Sequence, residues 1–244
     1  MRVLLISSSN VHGTGYLDHA EPEIRDFLGP VRRVLFFPWA LKDRDGYTAR
    51  VRERLGRMGF EVDSVHEAPD PARAVEAAEA VFAGGGNTFR LLKTMYEEHV
   101  LVPLRRRVRD GMPYVGSSAG SNVAGVTIRS TNDMPVVEPP SLSALGIVPF
   151  CINPHYLDPD PASTHMGETR EERIAQFHEE NEEPVVGLRE GAILRVEDGS
   201  VTLRGIARMR LFRRAHPPEE FDPGARLDFL LGQESVSARS STPA

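Results

Sequence analysis

Cysteine is almost absent from this sequence of 244 residues, since Cys151 is the only one. A single cysteine cannot form a disulfide within the chain, and it excludes a zinc site built from several thiolates. The sequence also shows no cluster of histidine, cysteine and acidic residues with the spacing of metal ligands. We therefore expect no metal ion.

Long apolar runs are missing as well. The run Val3–Ser7 near the start is shorter than the apolar part of a signal peptide. No later run approaches the ~20 residues that a membrane-spanning helix needs. We expect a cytoplasmic protein without a membrane partner.

A surplus of positive charge is also absent. The sequence has 29 basic and 35 acidic residues, which gives a net charge of -6. Proteins whose main partner is DNA or RNA usually carry a basic surplus, so nucleic acid is not an expected partner. The sequence leaves the oligomeric state open, with a homodimer as one candidate.

Hydrophobic residues make up 40% of the chain, which suffices for a globular core, and no repeat or convincing linker divides it. We expect one α/β domain over residues 1–232, followed by a polar, flexible tail over residues 233–244.

Short apolar runs typical of strands alternate with segments of helical period along the first half of the chain. This alternation favours a mostly parallel sheet covered by helices on both faces, with functional groups beyond the carboxyl ends of the strands. Farther along, a strand is predicted at Val185–Leu188, and a β-hairpin around an Asp-Gly turn at Ala192–Gly205. The predicted strands of the first half are Val3–Ser7, Val31–Pro38, Glu61–His66, Ala80–Ala83 and Pro113–Ser117, and the predicted helices are Tyr47–Met58, Pro71–Glu79, Phe89–Glu98 and Val102–Asp110.

The pattern G-x-S-x-G occurs at Gly116–Gly120, with Ser118 at its centre. A predicted strand precedes it and small residues follow, which is the setting of a nucleophile elbow that presents a serine hydroxyl above the sheet. The Ala119 amide would then face an oxyanion, helped by the positive end of the following helix. Ser117 and Ser121 are rivals for the nucleophile, and a turn that only packs strand against helix is the structural alternative.

A serine nucleophile needs an imidazole base, and the imidazole needs a carboxylate that holds its tautomer. His155 ranks first among the eight histidines because it follows the apolar run Ile147–Ile152, a predicted strand. His165 is its competitor. Asp133 and Glu190 both stand in turns that follow short strands, and spacing does not separate them as the third member.

Three consecutive glycines, Gly84–Gly86, stand between a predicted strand and a predicted helix. They expose backbone N–H groups and permit close approach of a ligand. They predict either a phosphate cradle or an oxyanion loop in which the Gly85 amide acts, and a plain helix-capping turn is the structural alternative. Asn87 and Thr88, which follow, are candidate substrate-binding residues.

Arg170 stands in the first turn of a predicted helix, in which Thr169 and Glu172 are spaced as a capping box. A cation there opposes the helix dipole, and this suggests binding of a substrate carboxylate. The plainer interpretation is that Glu171 and Glu172 neutralise it.

Together, these segments resemble the peptidase E family, serine dipeptidases that cleave after an N-terminal aspartate. The matching blocks occur in family order. They are GGGNTF (Gly84–Phe89), GSSAGSN (Gly116–Asn122), TIRSTNDMP (Thr127–Pro135), INPHY (Ile152–Tyr156), GETREERI (Gly167–Ile174) and GLREG (Gly187–Gly191).

The resemblance implies a fold like that of class I glutamine amidotransferases, which is flavodoxin-like, and hydrolysis of small Asp-X peptides without a cofactor. It implies Ser118 as nucleophile, His155 as general base and either Asp133 or Glu190 as the third member. Arg170 resembles the residue proposed to meet the aspartyl carboxylate of the substrate.

One departure from the family is Ser117, where relatives often carry a large aromatic residue. The enzyme alternative is a cyanophycinase-like hydrolase of β-aspartyl peptides, and the non-enzyme alternative is a flavodoxin-like binding module. A glutamine amidotransferase is disfavoured because its nucleophile is cysteine, whereas position 118 is serine.

Overall fold

The computed structural model describes residues 1–160, 162, 164 and 166–232, and two β-sheets with surrounding helices form its framework. The larger sheet has the strand order β3-β2-β4-β5-β1-β8-β9, and the smaller sheet has the order β11-β10-β7-β6. The strands are β1 (Arg2–Ile6), β2 (Arg33–Phe37), β3 (Glu61–Ser64), β4 (Ala80–Ala83), β5 (Tyr114–Ser117), β6 (Cys151–Pro154), β7 (Val185–Leu188), β8 (Ala192–Glu197), β9 (Ser200–Gly205), β10 (Met209–Phe212) and β11 (Glu219–Phe221).

The first five strands of the larger sheet are parallel, and β8 joins β1 in the antiparallel sense. Their apolar residues alternate between two cores, with Val3 and Leu5 packed on one face and Leu4 and Ile6 on the other. Both faces are therefore covered, which explains why these strands are continuously apolar. The predicted α/β fold with a mostly parallel sheet is confirmed.

The helices surround this sheet, and the four predicted in the first half of the chain are present with ends shifted by a few residues. The helix at Glu21–Leu28 was not predicted, because it is short and begins with Glu-Pro, although Ile24 and Phe27 bury its inner side. The helices are α1 (Glu21–Leu28), α2 (Arg44–Arg57), α3 (Pro71–Ala77), α4 (Thr88–Glu97), α5 (Leu101–Arg109), α6 (Ala119–Asn122) and α7 (Arg170–Glu180).

The smaller sheet was not predicted as a separate sheet. Its strand β11 reads Glu-Glu-Phe, which has no apolar pattern to identify it. The strand predicted over Ile147–Ile152 is also wrong at its start, since β6 begins only at Cys151. The preceding apolar residues Ile147 and Val148 are buried in a loop and are not paired in a sheet.

The C-terminal hairpin is confirmed as β8 and β9, with Asp198 and Gly199 at φ 53° and 75° in the turn. Positive φ at both central residues is what a two-residue hairpin turn requires. The predicted tail at 233–244 lies outside the described residues. None of the helices in the described part of the chain is long and apolar enough to cross a membrane.

Candidate active site

Ser118 stands at the carboxyl end of β5, in a strained turn. Its backbone has φ 52° and ψ -110°, and its N–H donates to the Ile6 carbonyl at 3.0 Å. A side chain on Gly116 would come within 2.5 Å of the Gly120 carbonyl oxygen, and one on Gly120 would overlap the carbonyl of Ala83. Both glycines are therefore needed for the turn, and the strain is of the kind that active sites hold.

His155 follows β6 and reaches Ser118. Its Nε2 lies 2.9 Å from Ser118 Oγ. His155 also has a positive φ of 53°, and its backbone N–H donates to Ser7 Oγ at 3.0 Å. The Ser7 hydroxyl donates in turn to the Leu188 carbonyl at 2.8 Å, so the ends of β1, β6 and β7 hold this residue in place.

Glu190 follows β7 and completes a hydrogen-bonded chain. Its Oε1 lies 2.8 Å from Nδ1 of His155. A carboxylate can only accept, so Nδ1 carries the proton and Nε2 presents its lone pair to the Ser118 hydroxyl. This is the order of nucleophile, base and orienting carboxylate that acyl transfer needs.

Asp133 lies elsewhere, at the start of α4. Its Oδ2 accepts the backbone N–H of Thr88 at 2.7 Å. Asn87 caps the same helix, because its Oδ1 accepts the N–H of Arg90 at 3.0 Å while its Nδ2 donates to the Met134 carbonyl at 2.8 Å. Asp133, Asn87 and Thr88 therefore form the N-terminal cap of α4. The carboxylate that hydrogen-bonds to His155 is that of Glu190.

The glycine loop passes directly against the nucleophile. A side chain on Gly85 would come within 3.0 Å of Ser118 Cβ. In the described part of the chain, the amides of Ala119 and Gly85 have no backbone carbonyl as partner, and the Gly85 amide faces the Tyr47 hydroxyl. Helix α6 is only one turn long, so the expected help from a helix dipole reduces to the Ala119 amide itself.

The serine rivals of Ser118 have other partners. Ser117 is fully buried with its Oγ 2.7 Å from Ser9 Oγ, and Ser121 Oγ donates to the Ile6 carbonyl at 2.8 Å. His178 Nε2 lies 3.1 Å from the Glu183 carbonyl. His165 lies outside the described residues.

A cavity of about 200 Å³ opens at the nucleophile. Most of its wall was not predicted, although the polar residues directly after β1, at the carboxyl edge of the sheet, were a usable signal. Its lining is Ser8, Ser9, Asn10, Tyr16, Leu41, Tyr47, Arg50, Gly85, Gly86, Ser118 and His155.

Arg170 is the first residue of α7, and the predicted capping box of Thr169 and Glu172 is present. It lines a second hollow, of about 410 Å³, together with residues 157–160 and 167–169, and does not line the cavity at Ser118. Burial lowers the pKa of Arg170, and Arg173 adds to this while Asp133 opposes it. Among the described residues, no carboxylate oxygen lies within 4.0 Å of its guanidinium.

The described residues contain no group of three histidine, cysteine or acidic side chains arranged to hold a metal ion. The site is thus made of a serine, an imidazole, a carboxylate and backbone amides.

Comparison with known proteins identifies the family of this chain from its sequence and finds the same fold in solved structures. The model of peptidase family S51 matches residues 3–204. The chain is 54% identical over 243 residues to peptidase E of Streptomyces coelicolor, covering 98% of this chain and 100% of that one. It is 50% identical over 232 residues to a Drosophila melanogaster protein named "Probable alpha-aspartyl dipeptidase", covering 94% and 97% of the two chains.

Solved structures give the same fold at low sequence identity. The crystal structure of a peptidase from an acI-B1 Actinobacterium superposes with a TM-score of 0.69 at 16% identity. The match covers 93% of this chain and 96% of that one.

Proposed function

We propose that this chain, which belongs to peptidase family S51 and is a serine-type dipeptidase, hydrolyses dipeptides whose first residue is aspartate. The observation that carries hydrolysis by a serine nucleophile is the position of His155, which contacts Ser118 through one ring nitrogen and Glu190 through the other. The names of the relatives support aspartate as the first residue. They do not favour a cyanophycinase-like hydrolase or a binding module.

In the first half of the proposed reaction, Glu190 keeps the proton of His155 on Nδ1, and Nε2 takes the proton of the Ser118 hydroxyl. Ser118 Oγ attacks the carbonyl carbon of the first residue, and the carbonyl oxygen becomes an oxyanion. The Ala119 amide faces that oxyanion. The Gly85 amide, which has no backbone carbonyl as partner among the described residues, supplies a second donor.

In the second half, His155 gives its Nε2 proton to the leaving amine as the carbon–nitrogen bond breaks. The aspartyl group is then an ester of Ser118. His155 next takes a proton from water, whose oxygen attacks the ester, and returns a proton to Ser118 Oγ as free aspartate leaves. Every proton passes through one imidazole, so no metal is needed for any step.

We assign the aspartyl carboxylate of the substrate to Arg170. Its guanidinium is half-buried, has no carboxylate partner among the described side chains, and stands in a first helical turn, where an anion is favoured. A guanidinium accepts a carboxylate in a two-pronged geometry, which a planar side-chain carboxylate of aspartate satisfies.

The test is a substrate panel of Asp-Leu, β-Asp-Leu, β-Asp-Arg, Asn-Leu and acetyl-Asp-Leu, with release of leucine or arginine measured. We expect Asp-Leu to be hydrolysed with the highest kcat/KM. Faster release of arginine from β-Asp-Arg would support the cyanophycinase-like alternative instead. No hydrolysis of any of the five, together with a nucleotide or flavin that copurifies, would support a binding module.

A further inference from the structure

The cavity at Ser118 is lined by a positively charged side chain, that of Arg50. Among the described residues that line the cavity, Arg50 is the only arginine or lysine, and none is acidic. His155 is neutral when it acts as a base, and the charge of Glu190 lies on the other side of its imidazole ring, so Arg50 is the charged side chain that faces this cavity before substrate binds. An anionic group would therefore be attracted to this end of the site.

Arg50 lies on α2 without a carboxylate partner, in contrast to its neighbours on that helix. Arg52 is paired with Glu67, and Arg54 is paired with Glu21. Over the described residues, Arg50 has neither an ion pair nor a side-chain hydrogen bond. Its guanidinium is exposed at the cavity, and its N–H donors are free for a ligand.

Two tyrosine rings support the guanidinium. The Cζ atom of Arg50 lies 6.0 Å from the ring centre of Tyr16 and 5.9 Å from that of Tyr47. A cation next to aromatic faces is stabilised and loses less freedom when it binds a ligand. Burial raises the pKa of both tyrosines, so their hydroxyls stay neutral and do not cancel the charge of Arg50.

The chemistry of the substrate then indicates which of its carboxylates binds Arg50. A dipeptide Asp-X has two carboxylates, on the aspartyl side chain and at its C-terminus. His155 must reach the leaving amine to protonate it, so the leaving residue lies against the cavity that His155 lines. Arg170, assigned above to the aspartyl carboxylate, lies in the other hollow.

We infer that Arg50 is a specificity-determining residue that binds the C-terminal carboxylate of the leaving residue and thereby restricts the enzyme to dipeptides. The inference rests on the proposed function. In a longer peptide, that carboxylate becomes an amide, and Arg50 loses its anionic partner. Leu41 and the two tyrosine rings provide apolar wall for the side chain of the leaving residue.

The experiment compares wild type, Arg50→Ala and Arg50→Lys on Asp-Leu, Asp-Leu-amide, Asp-Leu-Gly and Asn-Leu. We expect Arg50→Ala to lower kcat/KM for Asp-Leu about 10- to 100-fold, the range of a charge-assisted contact. Arg50→Lys should keep part of the activity, because it keeps the charge but loses the two-pronged geometry. For Asp-Leu-amide and Asp-Leu-Gly, Arg50→Ala should change kcat/KM less than about threefold, so the preference for dipeptides over tripeptides shrinks.

Arg52→Ala is the matched control, since it removes an arginine of the same helix that is paired with Glu67 and does not line the cavity. It should leave the ratio of Asp-Leu to Asp-Leu-amide unchanged. Thermal unfolding of each variant checks that the fold is kept.

The inference is overturned if Arg50→Ala loses as much on Asp-Leu-amide as on Asp-Leu. If Arg50→Ala in that case keeps wild-type kcat/KM on Asn-Leu, Arg50 binds the aspartyl carboxylate instead. It is also overturned if Arg50→Ala has wild-type kinetics on Asp-Leu. Failure of the wild-type enzyme to hydrolyse Asp-Leu would refute the proposed function itself, which is a different outcome.

Discussion

The hydroxyl of Ser7 accepts the backbone N–H of His155 at 3.0 Å, across 148 residues of sequence. The same hydroxyl donates to the carbonyl of Leu188, two residues before Glu190. Ser7 directly follows β1 of the larger sheet, whereas His155 directly follows β6 and Leu188 ends β7, both of the smaller sheet. One buried hydroxyl therefore connects the sheet that carries Ser118 to the sheet that carries His155 and Glu190.

We predict that Ser7→Ala lowers both stability and turnover. The substitution leaves the part-buried N–H of His155 without its acceptor and removes one of two donors to the Leu188 carbonyl, which also accepts the Tyr156 N–H at 2.9 Å. The lost partner costs about 1–3 kcal/mol of unfolding free energy. Because the freed N–H belongs to His155, kcat for Asp-Leu should fall about tenfold or more, while KM changes little. Urea unfolding and steady-state kinetics measure the two effects.

Ser200→Ala is the control for Ser7→Ala. Its hydroxyl donates to Asp228 at 2.9 Å, far along the chain in the C-terminal hairpin. It should lose some stability but keep kcat. If Ser200→Ala loses as much kcat as Ser7→Ala, the loss in Ser7→Ala comes from lower stability and not from the position of His155.

Ser118→Ala should lower kcat for Asp-Leu by about 10⁴-fold or more, since it removes the attacking oxygen. Ser117→Ala should retain at least about a tenth of wild-type kcat, because among the described residues the Ser117 side chain hydrogen-bonds to Ser9 alone. The measurement is release of leucine, with thermal unfolding as the check of folding. Near-normal turnover by Ser118→Ala would refute the assignment of the nucleophile.

Glu190 and Asp133 should respond differently to substitution. Glu190→Gln removes the charge that holds the His155 tautomer, and kcat should fall by about 10²- to 10⁴-fold with the fold intact. Asp133→Ala removes a cap of α4 and should cost about 1 kcal/mol of stability, with a smaller change in kcat. If Asp133→Ala instead loses more kcat than Glu190→Gln, the roles are reversed.

The nucleophile elbow at Ser118 could be predicted from the sequence, but the choice between Asp133 and Glu190 could not. Ser118 was predictable because its glycines, the strand before it and the turn are all local. Asp133 and Glu190 both stand in polar turns after short strands, and their difference appears only when β6 and β7 pair and bring residues 155 and 190 together. Local patterns contain no such information.

The remainder of the site depends on distant contacts in the same way. Ser7 is one of three consecutive serines, and nothing in the run marks it as the partner of His155. Arg50 is one of several arginines on α2, and only the packing of Tyr16 and Tyr47 beside the glycine loop brings it to the cavity. The smaller sheet was not predicted as a separate sheet, although β7 was predicted and β6 in part, because β11 is mostly acidic and the pairing of these strands is a contact between distant segments.

Thiol reagents should leave the enzyme active. Cys151 is fully buried in β6, and burial raises the pKa of its thiol to about 12. The reactive thiolate is therefore nearly absent at pH 8, and the side chain is inaccessible. Iodoacetamide should cause less than about 10% loss of activity in an hour under native conditions, whereas mass spectrometry should find one alkylated cysteine after unfolding in urea. Rapid inactivation of the folded enzyme would contradict this placement of Cys151.

Chelation should also have no effect. The proposed steps use one imidazole, one carboxylate and backbone amides, so activity on Asp-Leu should be the same before and after dialysis against EDTA. A loss of activity that zinc or manganese restores would contradict the serine mechanism.

Stability in acid should depend on the ion pair between Asp158 and Arg189. The Arg189 guanidinium donates to both carboxylate oxygens of Asp158 at 2.7 Å and joins the segment after His155 to the residue before Glu190. Its hydrogen bonds lower the pKa of Asp158, although partial burial opposes this. A carboxyl group whose pKa is lower in the folded state stabilises the fold above its unfolded pKa of about 3.9, and this contribution is lost as the pH falls through the lower, folded value.

Asp158→Asn should therefore be less stable than wild type at pH 7, and the difference should shrink as the pH falls below about 4. The Asp158 side chain is 48% exposed, so solvent screening limits the difference at pH 7 to about 1 kcal/mol or less. Urea unfolding of both proteins at pH 7 and pH 3 measures it. Asp198→Asn is the control, because this carboxylate stands in the exposed hairpin turn, where Asn-Gly is equally suitable. A deficit of Asp158→Asn that stays constant between the two pH values would mean that its carboxylate charge does not stabilise the folded state.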